Sequence, residues 1–360
     1  MRILTTLLLV FMGFSATSVA QNSNAELAEQ KRLVAVKQAK ENKLEEAVRS
    51  LEEAKKLSPN DISIDYDIAY VRYTQGNYQA AIDILLPICT AADKDATDHY
   101  FQQLVICYAL QGKEAEALKM LEIGLKKFPE SGKLYLERGN IDAAKEDYLA
   151  ALVHYEKGIL VDPAYPDNYY WASLIYFLTN EEVWGMFYAE IFRNLESNSS
   201  RSDEISQRMY KMYRREIKFP TDSTCTANFS EAAATYDPKV NSKMPVLPTT
   251  YCLLMKWSAN DVRRVDLHGL HLIRTQFILA FAKSDLDAQY KNPLFEYQKK
   301  IQEAGHMEAY NYWLLARGDM PAFGSWLKSN KEKWDAFVDW FNANPMRLSA
   351  TNKFHRSLYE

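Results

Sequence analysis

Small residues recur at Ala47, Ala81, Ala117, Ala151 and Gly185, at intervals of 34, 36, 34 and 34 residues, each inside a stretch of helical apolar period. A fixed period constrains the fold more than any local signal. A unit of that length is one supersecondary element that cannot bury its apolar face alone and must stack on its neighbours. An apolar residue stands four positions after each anchor (Leu51, Leu85, Leu121, Tyr155 and the smaller Ala189), and in three units a proline follows twelve positions after it (Pro59, Pro129, Pro163). Twelve positions before the anchors come Ala35, Ala69, Val105, Gly139 and Ser173, again small or compact. The pattern predicts two antiparallel helices per unit. Small residues let the backbones approach, Asn42, Gly76-Asn77 or Gly112 reverse the chain, and proline stops the second helix.

This punctuation resembles the tetratricopeptide repeat, whose signature runs large residue, Leu, Gly, Tyr, then Ala, an aromatic and Pro. The third unit matches best, with Phe101, Leu104, Tyr108, Ala117, Leu121 and Pro129. Five units fit over about residues 28–198. The resemblance implies an all-α fold: a right-handed superhelical solenoid of about five helix-turn-helix repeats, followed by a smaller helical C-terminal domain. Departures are Pro87 inside a second helix, two extra residues around Cys89 to Asp95, and Gly185 in place of Ala with no closing proline. Ser202 to Lys218, with Ile205, Met209, Met212, Tyr213 and Ile217 along one side, reads as a helix that closes the array.

The chain opens with Arg2, an apolar run from Ile3 to Phe14 and a small-residue end at Ser18-Val19-Ala20, the order of a secretory signal peptide over residues 1–20. No cysteine lies near Ala20, so the lipid-attachment form of such a signal is not expected. The run is too short to span a bilayer, and no comparable stretch follows it. An exported protein, periplasmic or secreted if the source is bacterial, is the expectation. With 43 Lys and Arg against 47 Asp and Glu, the net charge of −4 gives no electrostatic reason to expect nucleic acid or an anionic membrane as partner.

The expected organisation is a signal peptide over 1–20, the repeat solenoid with its closing helix over 21–218, an irregular connector over 219–257 and a helical C-terminal domain over 258–360. The connector holds Pro220, Pro238, Pro245 and Pro248. Ser258-Ala-Asn-Asp261 then reads as the start of a long helix to about Lys283, with shorter helices over Pro293–Ala304, Met307–Arg317, Pro321–Ser329 and Glu332–Asn342.

Catalytic strings are missing: there is no phosphate-cradling Gly-rich loop, Gly-x-Ser-x-Gly elbow, His-Glu-x-x-His or Cys-x-x-Cys. His268 and His271 share a helical face but lack a third ligand in sequence, and they read as structural. No cofactor or metal is expected, and the chain is read as a non-enzyme. Four cysteines in an exported chain allow two disulfides. Pairing of Cys225 with Cys252, which flank the connector, is expected, while Cys89 and Cys107 fit either a bridge or buried thiols.

The resemblance implies a concave groove lined by the first helices of the units. Projected onto this sequence, that groove carries Tyr66, Tyr70 and Tyr73, His99 and Gln102, Asn140, and Tyr170 and Phe177. It would be aromatic with few charges. The basic residue and Asn one turn apart that would clamp a terminal carboxylate are missing from the pairs Arg32/Val36, Tyr66/Tyr70, Gln102/Ile106, Leu136/Asn140 and Tyr170/Leu174. A protein or peptide ligand is the expected partner, with capture of a glycan, or an enzyme or metal-binding role in the C-terminal domain, as the alternatives. On the export reading, N-terminal sequencing of the protein from its native host should start at or near Gln21, and retention of Met1 to Ala20 would overturn it.

Overall fold

The computed structural model describes residues 23–91, 95–241, 243–284 and 291–359, so the signal peptide read over 1–20 lies outside the described residues, as do residues 92–94 of the insertion read around Cys89 to Asp95. The chain divides into two compact units, one ending at Pro129 and one beginning at Glu130. This division falls within the repeats, not after them at residue 219.

The N-terminal unit is three helical hairpins. They are α1 (23–40) with α2 (Leu44–Leu57), α3 (Ile62–Thr74) with α4 (Tyr78–Thr90), and α5 (Asp98–Leu110) with α6 (Glu114–Lys127). Each reversal uses the residue that the sequence marks. Asn42, Gly76 and Gly112 all have positive φ, a conformation open to Asn and Gly at little steric cost. Asp61 and Asn77 cap α3 and α4 by accepting from the backbone of Ser63 and Ala80. The anchors Ala47, Ala81 and Ala117 and their partners Ala35, Ala69 and Val105 are all buried, which places close backbone contacts where the period predicts them. Pro87 does not end α4, which continues to Thr90, where the Thr90 hydroxyl donates to the Leu86 carbonyl.

The second unit begins with two more hairpins, α7 (Gly132–Ala144) with α8 (Tyr148–Val161) and α9 (Pro166–Tyr176) with α10 (Glu182–Leu195). Gly139 and Gly185 replace the usual small residues for a steric reason. A Cβ on Gly139 would lie 2.4 Å from the Tyr155 ring, and one on Gly185 would lie 2.9 Å from the Phe177 ring. The closing helix is present as α11 (Ser200–Glu216), but Ile217 begins a strand. Strands β1 (Ile217–Thr221) and β2 (Thr224–Ala227) form an antiparallel hairpin with Ile217 opposite Ala227.

The region read as irregular over 219–257 therefore needs correction. Beyond the hairpin and the short α12 (Glu231–Ala234), helix α13 runs from Val246 to Val262. Pro245 precedes it and Pro248 lies in its first turn, where a missing N–H leaves no intrahelical bond unmade. Ser258 to Asp261 end this helix and do not start one; Arg263 breaks it with φ 54°, and Asp266 caps α14 (Leu267–Ala282) by accepting from Gly269. The remaining helices fall where expected: α15 (Pro293–Glu303), α16 (Met307–Leu315), α17 (Met320–Ser329) and α18 (Lys331–Ala343).

These helices do not form a separate core. Tyr155, Tyr169 and Tyr188 of the hairpins, Ile205, Met209 and Tyr213 of α11, and Leu270, Phe277, Phe295 and Tyr310 of the later helices belong to one buried cluster. Every residue of α10 from Glu182 to Asn194 is buried. The last residues return to the hairpins: Phe354 packs on Trp184, Phe187 and Tyr188, and Arg356 pairs with Glu156 at 3.1 Å.

All four cysteines are free thiols, which corrects the expected Cys225–Cys252 bridge. The Cys225 thiol turns toward the Thr226 carbonyl of its own strand, at 3.8 Å, whereas Cys252 lies on α13 against the backbone of Phe229 and Ser230. Burial raises the pKa of both thiols.

Ala117 has no exposed surface, so Ala117→Phe should overpack the α5–α6 contact and cost about 1–3 kcal/mol. A melting temperature equal to that of the unsubstituted chain would refute the repeat register.

Candidate functional site

The first helices of the N-terminal unit carry five of the eight expected groove residues. On α3, Tyr66, Tyr70 and Tyr73 follow at spacings of four and three, which puts them on one side of the helix. Their environments differ. Tyr66 is half-buried with its ring 5.0 Å from that of Tyr100 on α5, and burial raises its hydroxyl pKa. Tyr73 lies between Tyr70 at 6.2 Å and Tyr78 at 5.9 Å. Tyr70 is 51% exposed. On α5, His99 is exposed and Gln102 half-buried.

Beside Tyr70 lies a cavity of about 340 Å³ between α1 and α3. Ala35, Val36 and Ala39 form one wall, Tyr70 and Val71 the other, and Leu51 of α2 the floor. Val36 is 47% exposed. The polar rim is Lys40, Thr74 and Asp67. Asp67 accepts from Arg32 Nε at 2.8 Å; burial raises its carboxyl pKa more than the guanidinium lowers it. Residues Val36, Lys40 and Thr74 were missed as candidates. The signal in the sequence is the consecutive apolar run Leu33-Val34-Ala35-Val36, wider than a helix packed on one face requires, and in the structure Leu33, Val34 and Val36 are exposed.

The other three expected residues are placed elsewhere. Asn140 accepts from the Tyr155 hydroxyl at 2.9 Å and donates to Glu137 at 3.0 Å, which commits its amide internally. Tyr170 is buried against Phe192 and donates to Glu204 at 2.7 Å. Phe177 is buried against the bare backbone of Gly185. Tyr170 and Phe177 are therefore packing residues, a correction to the groove read from sequence. The side of α9 that carries these two residues is covered, Tyr170 by Phe192 of α10 and Glu204 of α11 and Phe177 by Gly185 of α10, whereas Trp171 on the same helix stays exposed.

His268 and His271 do share a face, with rings 6.1 Å apart. His268 Nδ1 contacts the Tyr312 hydroxyl and His271 Nδ1 the Thr275 hydroxyl, both at 3.3 Å. Among the described residues no group of three or more His, Cys, Asp or Glu is arranged to hold a metal ion, and no helix is long and apolar enough to cross a membrane. Desolvation lowers the His271 pKa to about 4 despite the opposing pull of Glu308.

No family model matches the chain, and no curated protein matches its sequence. Solved structures similar to it include PilF of Pseudomonas aeruginosa, at 15% identity over 53% of this chain and 86% of that one, with a TM-score of 0.43. A thermophilic tetratricopeptide protein of Thermus thermophilus aligns at 14% identity over 51% of this chain and 98% of its own, also at 0.43. YrrB, described as a tetratricopeptide protein with an unusual peptide-binding site, aligns at 16% over 52% and 94%, at 0.33. The five helical hairpins, each with its small-residue anchor buried, make the fold an all-α helical-repeat fold.

Because the folded His271 binds its proton more weakly than the unfolded chain, with its ordinary value of 6.5, the unfolded chain takes up the proton first on acidification. The stability this contributes is complete above about pH 6.5 and is lost as pH falls through about 4. Thermal melts of His271→Gln should show a flatter pH dependence across that window than the unsubstituted chain, and equal slopes would contradict the assignment.

Proposed function

We propose that the chain is an exported scaffold, without catalytic chemistry of its own, that holds a peptide or protein partner on the first-helix side of its N-terminal unit. The observation that carries this reading is the apolar cavity between α1 and α3, rimmed by the exposed Tyr70 ring and by Val36. An exposed tyrosine beside an apolar depression gives a partner side chain a pocket to fill and a rigid amphipathic ring to cover it. Polar contacts at the rim, from Lys40, Thr74 and the Arg32–Asp67 pair, supply orientation. Export rests on the n-region, h-region and small-residue end of residues 1–20.

The site divides the tyrosine stripe into two roles. Tyr70→Ala should abolish capture of the partner by the mature chain, by about 2 kcal/mol or more, and leave the melting temperature unchanged. Tyr66→Ala should lower the melting temperature, because it removes the ring contact with Tyr100. Full partner binding by Tyr70→Ala would overturn the proposal, whatever Tyr66→Ala does.

A further inference from the structure

A second cavity, of about 410 Å³, opens in the C-terminal part of the second unit, a volume suited to a small organic ligand. One wall is a face of α15, where Pro293, Glu296, Tyr297 and Lys300 recur at helical spacing. The facing wall is Trp340, at the end of α18, followed by Asn344 and Arg347 and closed by Asn352. Tyr297 and Trp340 form an apolar floor, their rings 6.2 Å apart and inclined at 35°.

The frame of this cavity is set by hydrogen bonds that leave its charges unused. The Tyr297 hydroxyl donates to the Asn344 carbonyl at 2.8 Å, and the Asn344 amide donates to the Trp340 carbonyl at 2.8 Å. The Asn352 amide holds the turn by donating to the Arg347 carbonyl at 3.1 Å. Lys300 and Arg347, both exposed at the mouth, have no carboxylate within ion-pair distance among the described residues. Glu296 lies one turn before Lys300 yet is not paired with it. A helix that carries Glu and Lys four apart ordinarily joins them. Here both groups line the cavity instead, which carries two cations, Lys300 and Arg347, against the one carboxylate of Glu296.

We propose that this cavity binds a carboxylate-bearing molecule with a compact apolar body and an N–H group. Lys300 and Arg347 take the carboxylate, Trp340 and Tyr297 the apolar body, and Glu296 accepts from the N–H. A free acylated amino acid and the C-terminal residue of a peptide share this chemistry. The site is separate from the cavity beside Tyr70 and does not depend on its role.

The test is calorimetric titration of the whole mature chain with N-acetyl-phenylalanine, its neutral amide, and N-acetyl-Ala-Ala-Phe with a free carboxylate. Both acids should bind and the amide should not. Lys300→Ala and Arg347→Ala, each at an exposed position that folding tolerates, should weaken the acids by about tenfold or more. Tighter binding of the tripeptide identifies a peptide terminus as the ligand, and equal binding identifies a free acid; either outcome supports the site. The proposal is overturned if neither acid binds at millimolar concentration, if the amide binds as well as the acid, or if the two variants bind like the unsubstituted chain.

Discussion

The second unit is organised around one buried ion pair. Glu190 on α10 and Arg274 on α14 lie 2.6 Å apart with side chains only 4% exposed. Removing two charges from water costs several kcal/mol per ion, and their attraction offsets this only where the remaining donors and acceptors are satisfied. Here they are. Glu190 Oε1 also accepts from Gln298 of α15 at 2.6 Å and from the Tyr310 hydroxyl of α16 at 2.8 Å. Arg274 donates to Asn311 of α16 at 2.6 Å and to the Tyr213 hydroxyl of α11. Burial raises the hydroxyl pKa of Tyr310 well above its ordinary value, so it remains a donor to the carboxylate. Five helices thus meet at one pair of charges, and loss of either partner would leave the other buried without compensation. That is why the hairpins and the C-terminal helices share a core instead of forming two.

The excess of tyrosine has its explanation in the same interior. Twenty-three tyrosines fit an interface as well as a core when only their number is known. Tyr155, Tyr169, Tyr188, Tyr213 and Tyr310 are among the largest fully buried side chains. Several spend their hydroxyl on a buried acceptor: Tyr169 donates to the Pro163 carbonyl, and Tyr176 and Tyr188 both donate to Glu156. A ring that fills volume and carries one donor suits a core containing carboxylates better than phenylalanine does. Tyr70, by contrast, remains half-exposed beside an open cavity.

What could be read in the sequence followed from what is local. The anchors, their apolar companions four residues on, and the reversals at Asn42, Gly76 and Gly112 are each fixed by contacts inside one hairpin, so the period reports them directly. The hidden features depend on partners far along the chain. Tyr170 and Phe177 occupy first-helix positions that would face a groove, and only the enclosure by α10 and α11 turns them into core. The start of α13 was masked by prolines whose effect depends on the turn they occupy, and its break at Arg263 carries no glycine to mark it. The cavity of α15 and α18 joins residues more than forty positions apart.

Glu190 shows how far a repeat position can change its meaning. It stands five residues after the anchor Gly185, and the same place is filled by Glu52, Leu86, Glu122 and Glu156 in the earlier units. Glu52 and Glu122 are exposed, and Glu52 reaches Arg72 only at 3.8 Å, the ordinary state of a carboxylate on the outer side of a second helix. In the fourth and fifth hairpins that side is covered by the chain that follows, and the carboxylates there are buried. Glu156 accepts from Tyr176, Tyr188 and Arg356 of the returning C-terminal segment, as Glu190 accepts from Arg274, Gln298 and Tyr310. A surface carboxylate becomes a hub when covered, because burial makes each unmet lone pair costly and so favours whichever arrangement brings donors to it. The two acidic positions therefore fix where the C-terminal segment docks, and the first-helix side of the N-terminal unit, with no comparable interior demand around Tyr70, stays open.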